Sequence, residues 1–356
     1  MPEISVVVTS YNIERYIDDC LADIAAQTLP DLEIIVVDDG SRDGTPDIIR
    51  DWAARDARIR PVLLEENSVG GVATAANAGI DLATGRYIGF ADGDDRYDPT
   101  MFARLLEAAV SADADLAICS YFNLDTETGE TGLPSDAARW AEIASEGVLE
   151  LDTAGRRRLL ALNAVPWRKI YSARFLNDHD IRFPVGPFFY EDNPFHWFTT
   201  LSANRAALVD ARLCRHRVGR IGQTTSAVDA RLLRMFAHHA IIKRWIEETG
   251  QDAEFRSDLL VWAARQLSWI GRKCPDDLRT NLFAAIDGVV ALHEADEIDD
   301  PDMRRRIGRR TAELLASAKS GDFESFCAGL DESVARTPKR RAGAAARFLN
   351  RFRGRA

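Results

Sequence analysis

The sequence predicts an α/β protein with a mostly parallel sheet flanked by helices, followed by a C-terminal helical region. Three observations carry this. Five apolar runs of strand length alternate with amphipathic segments across the first 122 residues. The turns after the second and fourth runs are glycine-bearing and acidic, as at the carboxyl ends of strands that hold a ligand. From Ala230 onward, Leu232, Leu233, Phe236, Ile241, Ile242, Trp245 and Ile246 recur at helical spacing.

The elements follow in order. Ile4 to Thr9 is a continuous apolar run, and Ile13, Tyr16, Ile17, Leu21 and Ile24 mark one face of a helix ending near Thr28. Glu33 to Val37 is the second strand, closed by Asp38-Asp39-Gly40-Ser41 and followed by a helix to about Ala54. Ile59 to Leu64 is the third, and a helix from Val72 to Ala83 is expected to be capped by Gly85. Tyr87 to Ala91, a helix from Pro99 to Ser111 and Leu116 to Phe122 complete the alternation. Thr126 to Ser135 holds Gly129, Gly132 and Pro134 and reads as a loop or hairpin insertion. Residues 136–165 are patchily helical, and Pro166 to Ser226 is rich in aromatics, Pro and Arg. These patterns divide the chain into residues 1–226 (halves 1–122 and 123–226), a helical region 227–336 and a tail 337–356.

Bulk properties set limits. The chain has 356 residues, 28% charged and 46% hydrophobic, as in an ordinary globular protein. No apolar run approaches the ~18 residues of a membrane span. Met-Pro-Glu leads straight into a strand, so neither signal nor transit peptide is expected. Cys20, Cys119, Cys214, Cys274 and Cys327 lie far apart and are expected to be free thiols in a reducing cytoplasm. The net charge of −11 hides seven Lys/Arg and no acid within Thr337 to Ala356. The body is therefore more acidic still, which excludes nucleic acid as a partner. The tail reads as a solvated segment or a contact for anionic lipid.

Asp92-Gly93-Asp94-Asp95 is the densest chemical signal. Three carboxylates within four residues repel unless a cation sits among them, and Mg²⁺ or Mn²⁺ takes one or two carboxylates plus substrate phosphates. The same residues also make an acidic turn before a helix. In Thr9-Ser10-Tyr11-Asn12 an aromatic can stack on a base and Thr9 can bond it, although Asn12 also suits a helix N-cap. Asp39 can accept from a nucleobase or ribose, and Asp39-Gly40 is equally a turn signal. Glu191-Asp192 precedes Pro194, so Asp192 suits a general base or a helix-dipole partner.

The motifs I-S-V-V-V-T-S-Y-N from Ile4, Ala26-Gln27-Thr28, E-I-I-V-V-D-D-G-S-R-D-G from Glu33, A-A-N-A-G from Ala75 and G-R-Y-I-G-F-A-D-G-D-D from Gly85 resemble the family 2 glycosyltransferases. The likeness is strong over about 125 N-terminal residues and looser to about Ser226. It implies a GT-A type fold and an inverting enzyme of hexosyltransferase type, working on a nucleotide-diphospho-sugar, commonly of UDP. It implies that Thr9, Tyr11 and Asp39 hold the base, that Asp92 contacts ribose or metal, and that Asp94 binds Mn²⁺ or Mg²⁺. Asp95 would support the loop or touch the sugar, and Asp192 would be the base with Glu191 beside it. Arg215 to Ser226 resembles a segment that closes over the diphosphate, with Arg217 and Arg220 as phosphate contacts.

Ala76 stands where many members carry Arg, a contact that Arg86 or Arg217 would then supply. No Q-x-x-R-W element is found, which favours single additions over processive synthesis. A dinucleotide-binding dehydrogenase is excluded by the absence of glycine in Thr9-Ser10-Tyr11-Asn12. The alternative reading is a degenerate nucleotide-sugar-binding or scaffold protein of a glycan-assembly system. His196 and His238-His239 lack ligand spacing, and Trp167, Trp197 and Phe188-Phe189 suit a sugar platform or core packing. The resemblance implies a glycan or lipid-linked acceptor of the cell envelope and a cytoplasmic protein, peripheral at the inner membrane face. The helical region is expected to pack on the sheet or to form a homo-oligomer.

Overall fold

All five apolar runs become strands of one sheet in the computed structural model, which describes residues 1–220 and 229–335. The strands are β1 (Ile4–Ser10), β2 (Leu32–Asp38), β3 (Ile59–Leu63), β4 (Tyr87–Asp92), β5 (Arg96–Tyr97), β6 (Leu116–Asp125), β7 (Thr131–Gly132), β8 (Val148–Glu150), β9 (Lys169–Ser172) and β10 (Arg205–Val218). Their order is β3-β2-β1-β4-β9-β6-β10-β5, with β7 on β6 and β8 on β10. The half β3-β2-β1-β4 is parallel, and β6 pairs parallel with β10. Between β4 and β6 runs β9, antiparallel to both, so the sheet is mixed beyond β4. The Thr126 to Ser135 insertion is a hairpin, closed by β7 on β6.

The helices of this part are α1 (Ile17–Ala25), α2 (Thr45–Arg55), α3 (Val72–Leu82), α4 (Met101–Ala112), α5 (Ala137–Ile143), α6 (Thr153–Leu160), α7 (Ala173–Asp178), α8 (Asp192–Ser202), α9 (Ala230–Leu233) and α10 (Ala237–Glu248). The two-residue period of β1 divides the helices between the faces. Val6 and Val8 join a core with Ile17, Leu21 and Ile24 of α1, Ile49 of α2, and Phe102 and Leu105 of α4. Val7 faces α3 on the other side, at Gly79. On that side Phe90 meets Tyr171, Phe183 and Phe195 edge-on, and Phe183 stacks on Phe195 at 3.9 Å. This cluster seats the start of α8 against the sheet.

Three local expectations are corrected. Helix α1 starts at Ile17, not Ile13, and Asn12 does not cap it: Asn12 sits at φ +49° and bonds the next loop instead. Gly85 is not the cap of α3, which ends at Ala83 in extended backbone. Gly85 is small because Ser5 passes beside it, its N–H donating to Ser5 Oγ at 2.8 Å. Strands β9 and β10 lie in the aromatic stretch that the sequence left without strands.

The chain parts after Leu259 into two compact units. The expected boundary at residue 226 and the basic tail fall outside the described residues. Helix α11 (Asp252–Gly271) runs across the division. The second unit continues with α12 (Arg279–Val290), α13 (Ala295–Asp299), α14 (Pro301–Ile307), α15 (Arg309–Lys319) and α16 (Phe323–Ala335). Leu282, Ile286, Leu315, Phe326 and Leu330 are buried there, and Phe283 sits edge-on to Phe323 and Phe326. All five cysteines are free, and no helix among the described residues is long and apolar enough to cross a membrane.

A Cβ on Gly79 would lie 2.2 Å from Val7 Cγ1, and Val7 is fully buried. Alanine would gain about 1 kcal/mol of helix propensity, but overpacking costs about 1–3 kcal/mol, occasionally more. Gly79→Ala is therefore expected to be net destabilising in urea unfolding, and an unchanged or higher midpoint would contradict this packing.

Candidate active site

Strand order reverses between β1 and β4, and the loops that leave their carboxyl ends share one edge with the loop after β2. Registers Ser10 with Asp38 and Thr9 with Asp92 bring those loops side by side. Thr9 is buried and Tyr11 is 45% exposed at the edge. Asn12 accepts from Arg42 N–H through Oδ1 at 2.8 Å, while its own N–H donates to Ser41 Oγ at 2.8 Å. Asp38 accepts from Ser10 Oγ, Ser41 N–H and Ser41 Oγ, which locks the first two loops together. Asp39 accepts from Asn67 Nδ2 at 2.8 Å and Ser68 N–H at 3.0 Å, and burial raises its pKa. A carboxylate has about four acceptor sites, so capacity toward a ligand remains. Gly40 turns at φ +72°, where a Cβ would strike Glu66 backbone at 2.3 Å.

The D-G-D-D loop is gripped from below. Gly93 N–H donates to Thr9 O at 2.9 Å, and a Cβ there would lie 2.7 Å from Ile13 Cδ1. Asp92 N–H donates to Tyr97 Oη at 2.8 Å. Burial, then the charges of Asp95 and Asp94, push the Asp92 carboxyl well above its ordinary range. Asp95 is fully buried and accepts from His216 Nδ1 at 2.9 Å and Arg217 N–H at 2.8 Å, so its carboxylate fastens the end of β10 to this loop. His216 stacks on Trp167 at 5.1 Å. Burial opposes its charge, yet Asp95, Asp92 and Asp94 raise it to about 9. Arg220 Nε donates to Asp94 Oδ2 in an ion pair. Arg217 donates to Asp19 Oδ2 at 2.7 Å and covers the Tyr16 ring.

Glu191 and Asp192 open α8. Glu191 accepts from Ala73 N–H at 3.1 Å, at the first turn of α3, and burial raises it to about 7. Asp192 is half-buried, and Asn193 Nδ2 donates to its Oδ1 at 3.1 Å and to Tyr190 O at 3.0 Å. Burial raises Asp192 to about 6 against the pull of Lys169. Lys169 is buried and donates to Ala164 O at 3.1 Å and to His196 Nδ1 at 3.2 Å. His196, one turn after Asp192, is held neutral by burial and donates through Nε2 to Leu159 O. Tyr190 sits at φ +68°, a left-handed strain just before the acids. Asn77 of α3 clamps Phe183 twice, donating to its O at 2.8 Å and accepting from its N–H at 2.9 Å. The charge of Asp192 acts on Asp92, so the two acidic groups lie within electrostatic reach.

Thr9, Tyr11, Asp39, Asp92, Asp94, Asp95, Arg217 and Arg220 thus gather at one sheet edge, with Glu191 and Asp192 at the next helix start. Arg86 does not join them: it precedes β4 at the opposite edge and faces Glu3 at 3.9 Å. Trp167 and Trp197 are core residues at 2% and 3% exposure, not a sugar platform. Residues of the expected closing segment after Arg220 lie outside the described residues. Lys169 and His216 were missed, because His196 and Asp95, the side chains they meet, are distant in sequence. Among the described residues no set of three or more His, Cys, Asp and Glu is arranged for a metal. One or two carboxylates completed by phosphates still fit Mg²⁺ or Mn²⁺, and Asp94 already attracts a cation in Arg220.

The sequence profile described as glycosyl transferase family 2 matches residues 5–177. GlyG, a glycosyltransferase of Streptococcus pneumoniae, is 32% identical over 224 residues, which cover 62% of this chain and 73% of GlyG. The chain belongs to glycosyl transferase family 2. This family 2 chain is also 35% identical over 223 residues to the uncharacterized glycosyltransferase EpsJ of Bacillus subtilis, over 61% of each chain. It therefore spans about three-fifths of that relative's length. Its fold is that of Staphylococcus aureus TarS 1-349, crystallised with UDP-GlcNAc, with a TM-score of 0.73, 21% identity, and 93% and 91% of the two chains covered.

The His216 imidazole is expected to remain protonated at neutral pH and to titrate near 9 by NMR. Since its folded pKa is raised, its stabilisation is full below about 6.5 and lost as pH climbs through about 9. A neutral ring at pH 7 would contradict the pairing with Asp95.

Proposed function

We propose that this family 2 chain is a metal-assisted, inverting glycosyltransferase. Its donor is a nucleoside-diphospho-sugar, probed first as UDP-sugar, and its acceptor is a hydroxyl of a cell-surface glycan precursor. One observation carries the reading: the carboxylates that leave β4 share one sheet edge with Thr9 and Asp39 where strand order reverses, and α3, packed on β1, holds the head of α8 that bears Asp192. TarS was crystallised with UDP-GlcNAc and with UDP, and a Pyrobaculum calidifontis mannosyltransferase of related fold with GDP-Man and Mn²⁺. These support a nucleotide donor and a divalent cation.

In this reading Tyr11 stacks on the base, while Thr9 and Asp39 bond its edge. A divalent cation held by Asp94, with Asp92 beside it, would supply positive charge against the departing nucleoside diphosphate. Asp95 and His216 hold the loop in place, and Arg217 would reach phosphate by leaving Asp19. Asp192 takes the proton of the acceptor hydroxyl as its oxygen bonds the anomeric carbon. The bond to the diphosphate breaks on the opposite face, so configuration inverts. Glu191, bonded to the α3 backbone, positions the turn that presents Asp192.

Asp192→Asn is expected to keep UDP affinity and lose at least ~100-fold in kcat. In the parent protein kcat/KM is expected to fall with acid below about pH 6, where Asp192 becomes protonated. Near-normal turnover in the variant would remove Asp192 from the reaction and favour the binding or scaffold role.

The basic tail suits contact with anionic lipid beside a lipid-linked acceptor at the cytoplasmic membrane face. Deleting residues 337–356 is expected to lower binding to phosphatidylglycerol vesicles at low salt. An unchanged partition would end that assignment.

A further inference from the structure

Two of the three carboxylates in the D-G-D-D loop already have cationic partners from beyond the loop: His216 on Asp95 and Arg220 on Asp94. The Asp94 contact is a built one. Strand β10 ends at Val218, and Gly219 turns the chain at φ +81°, a conformation that side chains resist. The turn brings Arg220 onto Asp94 Oδ2, and the two side chains are only 18% and 12% exposed. Arg217, three residues earlier, is fastened elsewhere by Asp19 and Tyr16.

We propose that Arg220 is an internal counter-cation for Asp94. Its guanidinium holds Oδ2 and sets a positive charge beside the remaining oxygen, so metal entry is opposed until it withdraws. The proposal rests on the assignment of Asp94 to the metal. A dication added beside the guanidinium would meet strong repulsion in a partly dry site. A nucleoside diphosphate resolves the conflict, because its oxygens match the planar fork of Arg and give the guanidinium somewhere to go. Cation and diphosphate therefore enter as a coupled pair, with part of the coupling carried by one side chain. Without nucleotide, Arg220 offsets the charge of Asp94 and keeps stray dications off it.

The test measures Mn²⁺ binding without nucleotide by electron paramagnetic resonance, then UDP binding in saturating Mn²⁺ by calorimetry, on the full chain. Arg220→Ala is expected to bind Mn²⁺ alone at least about fivefold tighter, and UDP at least about fivefold more weakly, a range typical of coupled sites. A merely structural role would not move the two affinities in opposite directions. Arg220→Lys, which keeps the charge, should restore weak Mn²⁺ binding. Unchanged or weaker binding of Mn²⁺ alone in Arg220→Ala overturns the proposal. Asp94→Asn separates the two readings. If the parent binds Mn²⁺ with UDP and Asp94→Asn does not, the metal site stands and only the role of Arg220 is at stake. If the parent shows no Mn²⁺ binding even with UDP, the metal assignment falls and the proposal with it.

Discussion

Like charges crowded at one sheet edge are the constraint on which this structure turns. Asp92, Asp94 and Asp95 leave β4 together, and Asp192 is close enough for its charge to act on Asp92. Such a group resists ionisation unless the fold answers with positive charge. The answer comes largely from one strand end: His216 binds Asp95, the Arg217 backbone joins it, and Arg220 returns to Asp94. Lys169, at the start of β9, opposes the rise at Asp192. The end of β10 and the turn after it thus supply most of the positive charge that this edge receives.

Much of the N-terminal half was legible because its signals are local. Strand-length apolar runs and the acidic turns after them depend on a handful of adjacent residues, and β1 to β4 fall where those runs stand. The remainder depends on contacts that no window contains. Strand β9 has four residues, begins with the buried Lys169, and is a strand only because β4 and β6 pair with it on either side. Strand β10 carries Arg and Asp among its apolar residues and slips register twice against β6, which hides its period. His216 looks like any surface imidazole until Asp95, 121 residues earlier, is placed beside it.

The acids at the head of α8 show the same division. Glu191-Asp192 before a helix is readable as chemistry or as dipole compensation, and Asp192 does begin α8, as the second description requires. What the sequence does not reveal is how α3 serves both halves of the site. Gly79 lets it lie against β1, Asn77 ties down Phe183, and its first turn holds Glu191. One helix therefore fixes the distance between β1 and the head of α8.

The two anchor points on α3, Ala73 and Asn77, are a single turn apart, about 6 Å along the helix. The chain that joins their partners, Phe183 and Glu191, is long enough when extended to cover ~26 Å or more. Residues 184–190 therefore arch between two feet on the same post, and the arch is also held along its length, where Arg234 donates to Pro187 O at 2.9 Å and His238 Nε2 donates to Phe189 O at 2.7 Å. A change in the length of this arch is therefore felt at α10 as well as at α3.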